Sequence, residues 1–171
     1  MLDKDILREY IWVVLNSGMR NSVIESKWNQ LSEAFRFFDL KQIIDDPDAV
    51  LRDALRIFGH YGKIDACVQF AKKLWRHDLT FRKRVRESPL KVLVELPFIG
   101  DVTKYHLARN LGFDFIKPDR HLVRLADQYG MTAFELCQEI HEKTGRKLGV
   151  IDVIFWRWSE RKGQTILKKN G

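Results

Sequence analysis

Two short clusters in the middle of the chain have residue types and spacings that could do chemistry. One is Gly100, Val102, Thr103 and Lys104 in "LPFIGDVTKYHL"; the other is Asp119, His121 and Arg124 in "KPDRHLVRL". Pro97 stops an incoming helix, because it has no N–H and its ring clashes with the preceding turn. Gly100 allows a tight turn and a close backbone approach. Thr103 then opens a second helical run, "TKYHLARNLG", that ends at Gly112. The first amides of such a helix lack intrahelical acceptors and lie at the positive end of its dipole, so the Gly100, Val102 and Thr103 amides suit a phosphate oxygen. Asp119 follows Pro118 and opens another helix, where its carboxylate can cap free amides. On spacing alone, an ordinary helical turn and a plain cap are the readings that both clusters favour.

A third pair lies near the C-terminal end. Asp152 and Trp156 in "GVIDVIFWRW" are four residues apart and share one helical face. A carboxylate and an indole so placed could hydrogen-bond to and stack on a flat ring, although a core tryptophan beside a capping or surface aspartate fits the same spacing. Cys67 and Cys137 are isolated within helical patterns, and His60, His77, His106 and His141 are scattered. Neither set has the spacing of a zinc site or an iron–sulfur cluster, so no metal centre is expected.

The elements that must position these residues read as helices throughout. "DKDILREYIWVVLN" places Ile6, Tyr10, Val13 and Val14 on one face, and "NSVIESKWNQLSEAF" continues in helical register behind a cap at Asn21 or Ser22. "DDPDAVLRDALRIFG" and "ESPLKVLVEL" each open on a polar cap followed by proline, which needs no N–H in the first turn. "GKIDACVQFAKKLWRHDL" lies between them. Three more helical segments, "DRHLVRLADQYG", "TAFELCQEIHEKTG" and "LGVIDVIFWRWSERKG", follow the second cluster. No sustained two-residue alternation bounded by hairpin turns is present. An all-α chain of roughly ten helices with short connections follows.

The 171 residues suffice for one domain with a real core, divided into two lobes. With 45% hydrophobic and 31% charged residues the chain reads as soluble, and it has no apolar run of about 18 residues that could span a membrane. "MLDKDILREY" lacks an apolar signal core, which points to a cytoplasmic, nucleoid-associated location. A net charge of +7 favours an anionic partner, nucleic acid first. Basic runs occur in "WRHDLTFRKRVRES" and "ERKGQTILKKNG", each of which could also be a solvated face.

Taken together, the first two clusters resemble the helix-hairpin-helix DNA glycosylases related to endonuclease III. Those carry Leu-Pro-Gly-x-Gly, two residues, then usually Thr, and further on an Asp-x-His followed by two residues and Arg. Here the matching residues are Leu96, Pro97, Gly100 and Thr103, then Asp119, His121 and Arg124. The resemblance implies a two-lobed helical fold: residues 20–117, including the hairpin at 89–112, in one lobe, and residues 1–19 with 118–171 in the other. A groove between the lobes would hold Asp119 against the sugar of a flipped nucleotide. Breaking the N-glycosidic bond builds positive charge on the deoxyribose, which a carboxylate stabilises while orienting or deprotonating water. His121 and Arg124 would brace the segment or contact the DNA backbone. Met19 or Arg20, in the turn after the first helix, would fill the gap left in the duplex, and Asp152 with Trp156 would line the base pocket.

Two departures from the family pattern carry expectations of their own. Phe98 stands where the hairpin's first glycine belongs, so the turn is expected to differ, because a phenylalanine does not take left-handed φ cheaply. Val102 stands where strand-nicking members carry the lysine that attacks the sugar. The chain therefore resembles the monofunctional branch, which leaves an abasic site. Lys104 and Lys117 are alternative amines, with Lys104 about 200° around a helix from Val102. A bifunctional glycosylase/lyase using another lysine, and a non-catalytic DNA-binding protein using the hairpin as a phosphate clamp, are the competing expectations. The implied partner is double-stranded DNA with a damaged or mismatched base, bound by a monomer. No cofactor is required, with room for a monovalent cation at the hairpin.

Overall fold

The computed structural model describes residues 2–169, with side chains outside 77–78 and 160–169. The fold is all-α: among the described residues there are ten α-helices, one 3₁₀ turn and no strand. The helices are α1 (Asp3–Asn16), α2 (Asn21–Ala34), α3 (Leu40–Asp45), α4 (Pro47–Ile57), α5 (Tyr61–Glu87), α6 (Pro89–Leu93), α7 (Thr103–Asn110), α8 (Arg120–Asp127), α9 (Ala133–Thr144) and α10 (Leu148–Lys169). None of the described helices is long and apolar enough to cross a membrane. The chain divides into two compact units, Met1–Leu107 and Ala108–Gly171. The side chains of the basic run that begins at Glu160, and that of His77, lie outside the described residues.

In the first unit α1, α3 and α4 pack on α5, and α2 packs on α4. The face of α1 read from its periodicity, Ile6, Tyr10, Val13 and Val14, is buried. Asp46 accepts from the Ala49 amide at 3.0 Å with Pro47 in the first turn of α4, which is the cap–proline opening expected there. The opening of α2 differs: Arg20 holds the cap position without a side-chain bond, and Asn21 lies inside the helix, where its amide donates to Glu25 at 2.6 Å. A partner one turn on satisfies that side chain better than the backbone would. Within α5 the rings of Phe70 and Phe81 meet edge-on, with centroids 5.5 Å apart.

Two features of this unit have no signal in the sequence. Arg36, Phe37 and Phe38 form a turn with φ of 53°, 49° and 65°. Left-handed backbone costs an L-residue about 1–2 kcal/mol. The turn is held by Arg36, which pairs with Asp53 at 2.8 Å and donates to the Ala34 carbonyl at 3.2 Å, and by the buried Phe38 ring stacked on Trp28. Lys63 is buried to 6% exposure and donates its ammonium protons to the carbonyls of Leu15 and Ser17. It thereby satisfies the orphan acceptors at the end of α1.

The second unit is built from α8, α9 and α10, packed around Ile116, Leu122, Ala126, Leu136, Cys137 and Ile151. A capping box starts α9: Thr132 Oγ1 accepts from the Glu135 amide at 3.2 Å, and Glu135 accepts from the Thr132 amide at 2.7 Å. α9 ends on Gly145 at φ 67°, the left-handed stop that glycine provides.

Candidate functional site

The hairpin joins α6 to α7 in the first unit. Its entry is fixed by the Tyr10 hydroxyl, which donates to the Pro97 carbonyl at 3.0 Å, and its first turn is closed by the Ile99 amide on the Leu96 carbonyl at 3.1 Å. Phe98 adopts φ 62°. The conformation a glycine would supply is therefore present with a phenylalanine in it. The ring is anchored edge-on against His60, centroids 6.0 Å apart, in space left open by Gly62, where a Cβ would stand 3.5 Å from the Phe98 Cζ. Phe98→Gly should relieve the backbone strain that Phe98→Ala retains. In urea unfolding the glycine variant is expected to be more stable than the alanine variant by roughly 1 kcal/mol, the reverse of the usual order. An alanine variant as stable as the glycine one would mean that Phe98 carries no strain.

The amides expected to face a phosphate do not act alike. Gly100 N–H donates to Thr103 Oγ1 at 2.7 Å, so the threonine hydroxyl has taken that donor inside the turn. The amides of Val102 and Thr103 have no acceptor among the described residues. Lys104 is bound to Asp101 at 2.8 Å, and that bond raises the lysine's pKa and lowers the aspartate's. Val102 is 42% exposed. Met19 and Arg20 are exposed in the turn after α1, beyond Gly18 at φ 72°, and the Lys63 ammonium fixes the Ser17 carbonyl that enters this turn.

Asp119 caps α8 in the second unit. Its Oδ1 accepts from the amides of His121 at 2.9 Å and Leu122 at 3.1 Å. Its Oδ2 has no partner among the described residues. The Asp119 amide donates to the Lys117 carbonyl at 2.7 Å, so the chain makes a γ-type turn across Pro118. Leu122 and Ala126 anchor α8 in the core, leaving His121 and Arg124 exposed on its first turns. Comparison of the chain with protein-family models, with curated proteins and with solved structures finds no match.

Asp152 is only 2% exposed. Its Oδ2 accepts from the Lys117 amide at 2.9 Å and is ion-paired with Arg109. Burial pushes its carboxyl above the usual range, opposed by the Arg109 guanidinium and the Lys117 N–H. Trp156, one turn further along α10, is half-buried. Gly149 lets α10 come close to Arg109: a Cβ there would stand 3.3 Å from the Arg109 Cγ. Arg109, Gly149 and the Lys117 amide were not candidates from sequence. The only available signal was a single aspartate inside the apolar run "GVIDVIFW", a pattern that implies a buried partner.

The second unit also has a groove of about 680 Å³ lined by Phe115, Met131, Phe134, Leu148 and the glutamates 135 and 139. Asp119, Asp152 and Trp156 do not line it. Its acidic rim is the wrong sign for a phosphate backbone. Among the described residues no group of three or more His, Cys, Asp or Glu could hold a metal ion.

Proposed function

We propose that the protein is a DNA glycosylase that removes a damaged or mismatched base from duplex DNA and leaves an abasic site. The observation that carries this is the state of Asp119: one carboxylate oxygen is spent on the α8 amides while the other is unpartnered beside exposed His121 and Arg124. A carboxylate needed only as a cap uses one oxygen in this way, but here it also stands in the Asp-x-His and Arg pattern of the glycosylases. In the proposed reaction the target nucleotide leaves the stack. The C1′–N bond breaks with its electron pair going to the base, and Asp119 stabilises the positive charge on the sugar. A water oriented or deprotonated by Asp119 then bonds to C1′. Val102 offers no amine, so water is the nucleophile for base removal. His121 and Arg124, with the amides of Val102 and Thr103, would contact phosphates. Met19 or Arg20 would fill the vacated space.

The test is excision from a panel of duplexes, each with one lesion or mismatch, followed by heat and alkali to cut abasic sites. At least one duplex is expected to be cut only after that treatment, and none cut would sink the proposal. Duplex affinity should fall as salt rises, because Lys and Arg side chains release counterions. Salt-independent binding would contradict the basic residues' role.

A further inference from the structure

Base excision leaves the groove of the second unit unused. Met131, Phe134 and Leu148 give it an apolar floor, with Phe134 exposed. Glu135, Glu139 and Glu142 follow one another along α9 in steps of four and three, so they form one acidic stripe beside that floor. Each spends one carboxylate oxygen nearby: Glu135 on the Thr132 amide at 2.7 Å, Glu142 on the Gln138 side chain at 3.0 Å, and Glu139 on the Lys143 ammonium. Among the described residues no lysine or arginine lines the groove. An open apolar groove of about 680 Å³ edged by anions takes an apolar side chain carried on a helix and flanked by cations. The first unit presents one. Leu79 of α5 is 72% exposed and shares a shallow depression with Arg82, Lys83 and Arg86, where Glu87 is the one acid. Leu79, Lys83 and Arg86 also advance in steps of four and three. They run along one side of α5 for about 10 Å, the length the three glutamates cover on α9. Arg82 is tied to Asp3 at 3.3 Å, and the Lys83 ammonium lies 4.0 Å from Glu87. Arg86 has no partner among the described residues.

We propose that these two surfaces bind each other between copies of the chain. Leu79 of one copy sits on Met131 and Phe134 of the next, and its Lys83 and Arg86 face Glu139 and Glu142. A lone exposed leucine is ordinary on a protein surface. Here its cations match, in sign and spacing, the anions beside an apolar groove of the same chain. The contact needs each surface to be open, and none of these side chains is fully buried. A phosphate backbone suits the α5 stripe and is repelled by the groove, so only a partner carrying both signs satisfies both surfaces. The net charge of +7 opposes association at long range. At physiological salt that repulsion is screened beyond about 8 Å, whereas charges in contact still attract. Because unlike patches meet, the contact is head-to-tail, closing a ring where the rotation allows and extending a filament where it does not. The inference stands apart from base excision, and it sets a self-associating protein against the monomer that the resemblance implies.

The experiment is light scattering on the full chain after size exclusion, over a range of loading concentrations at about 0.15 M salt. The wild-type mass is expected to rise with concentration from one chain toward two or more. Lys83→Glu with Arg86→Glu should hold it at one chain, and so should Glu139→Lys with Glu142→Lys. Mixed in equal amounts, the two charge variants should associate again, because every contact between them pairs opposite signs. One chain carrying all four substitutions should recover association for the same reason. Leu79→Ser keeps every charge and should weaken association by about tenfold or more, the loss of one buried leucine. Far-UV circular dichroism and the unfolding midpoint check that each variant is folded. A wild-type mass of one chain at every concentration would overturn the proposal. So would association that persists in either charge variant, a mixture of folded variants that stays monomeric, or an unchanged Leu79→Ser. Should one charge variant fail to fold, the other and Leu79→Ser still decide.

Discussion

Asp119→Asn is expected to reduce base release by roughly 10²- to 10⁴-fold, the range for removing a positioned base or charge stabiliser. Duplex affinity and unfolding midpoint should stay close to wild type. The separation is possible because Asp119 has two jobs with different requirements. Capping needs an oxygen that accepts from the His121 and Leu122 amides, and asparagine supplies one about as well as aspartate. Stabilising charge on the sugar needs the carboxylate's negative charge, which asparagine lacks. Asp119→Ala removes both and should lose about 1 kcal/mol of stability as well as activity. Single-turnover excision on the duplex found active in the panel, beside urea unfolding of all three proteins, measures the two jobs independently. Full activity in the asparagine variant would end the catalytic assignment. Equal stability of the alanine variant would end the capping one.

The parts of this molecule that were legible in the sequence are those whose causes are local. The buried face of α1 repeats with the helical period, and the Asp46–Pro47 opening and the Gly145 stop each need one or two neighbouring residues. Asp119 as a cap was legible for the same reason, because Pro118 before it and Leu122 after it delimit the helix start. Short α3 has no comparable signal, because six residues carry too little periodicity, although Asp39 caps it through the Gln42 amide at 3.1 Å. The left-handed turn at Arg36–Phe38 was invisible, since nothing in Arg-Phe-Phe favours positive φ. Phe98 was the instructive case: its residue type argued against the left-handed turn, yet contacts with His60 and the space at Gly62 stabilise it there. The distant pairings were illegible in principle. Nothing local says that Lys63 closes the end of α1, or that Arg109 and the Lys117 amide meet on Asp152.

That last meeting has the largest expected effect on stability. Asp152→Leu should cost about 3–5 kcal/mol, the usual loss when one partner of a buried ion pair is removed. The Arg109 side chain is 20% exposed and can recover some water, which places the loss toward the lower end. The rest arises because the Lys117 amide also loses its acceptor. Adding Arg109→Met should recover most of the loss, since a leucine facing a methionine leaves no charge to solvate. The recovery should be incomplete, because the Lys117 amide remains unsatisfied in the double variant. A double-mutant cycle in urea isolates the coupling, and additive losses would show that the two side chains do not act as a pair. The same cycle bears on function, because Asp152 holds the peptide that precedes Pro118 and so sets where Asp119 points. With the charge problem removed, the double variant is expected to be folded and yet slower in base release than wild type, since one of the two bonds fixing Lys117 is gone. Unchanged release in that folded variant would reduce Asp152 to a stability role and leave the cap alone to position the carboxylate.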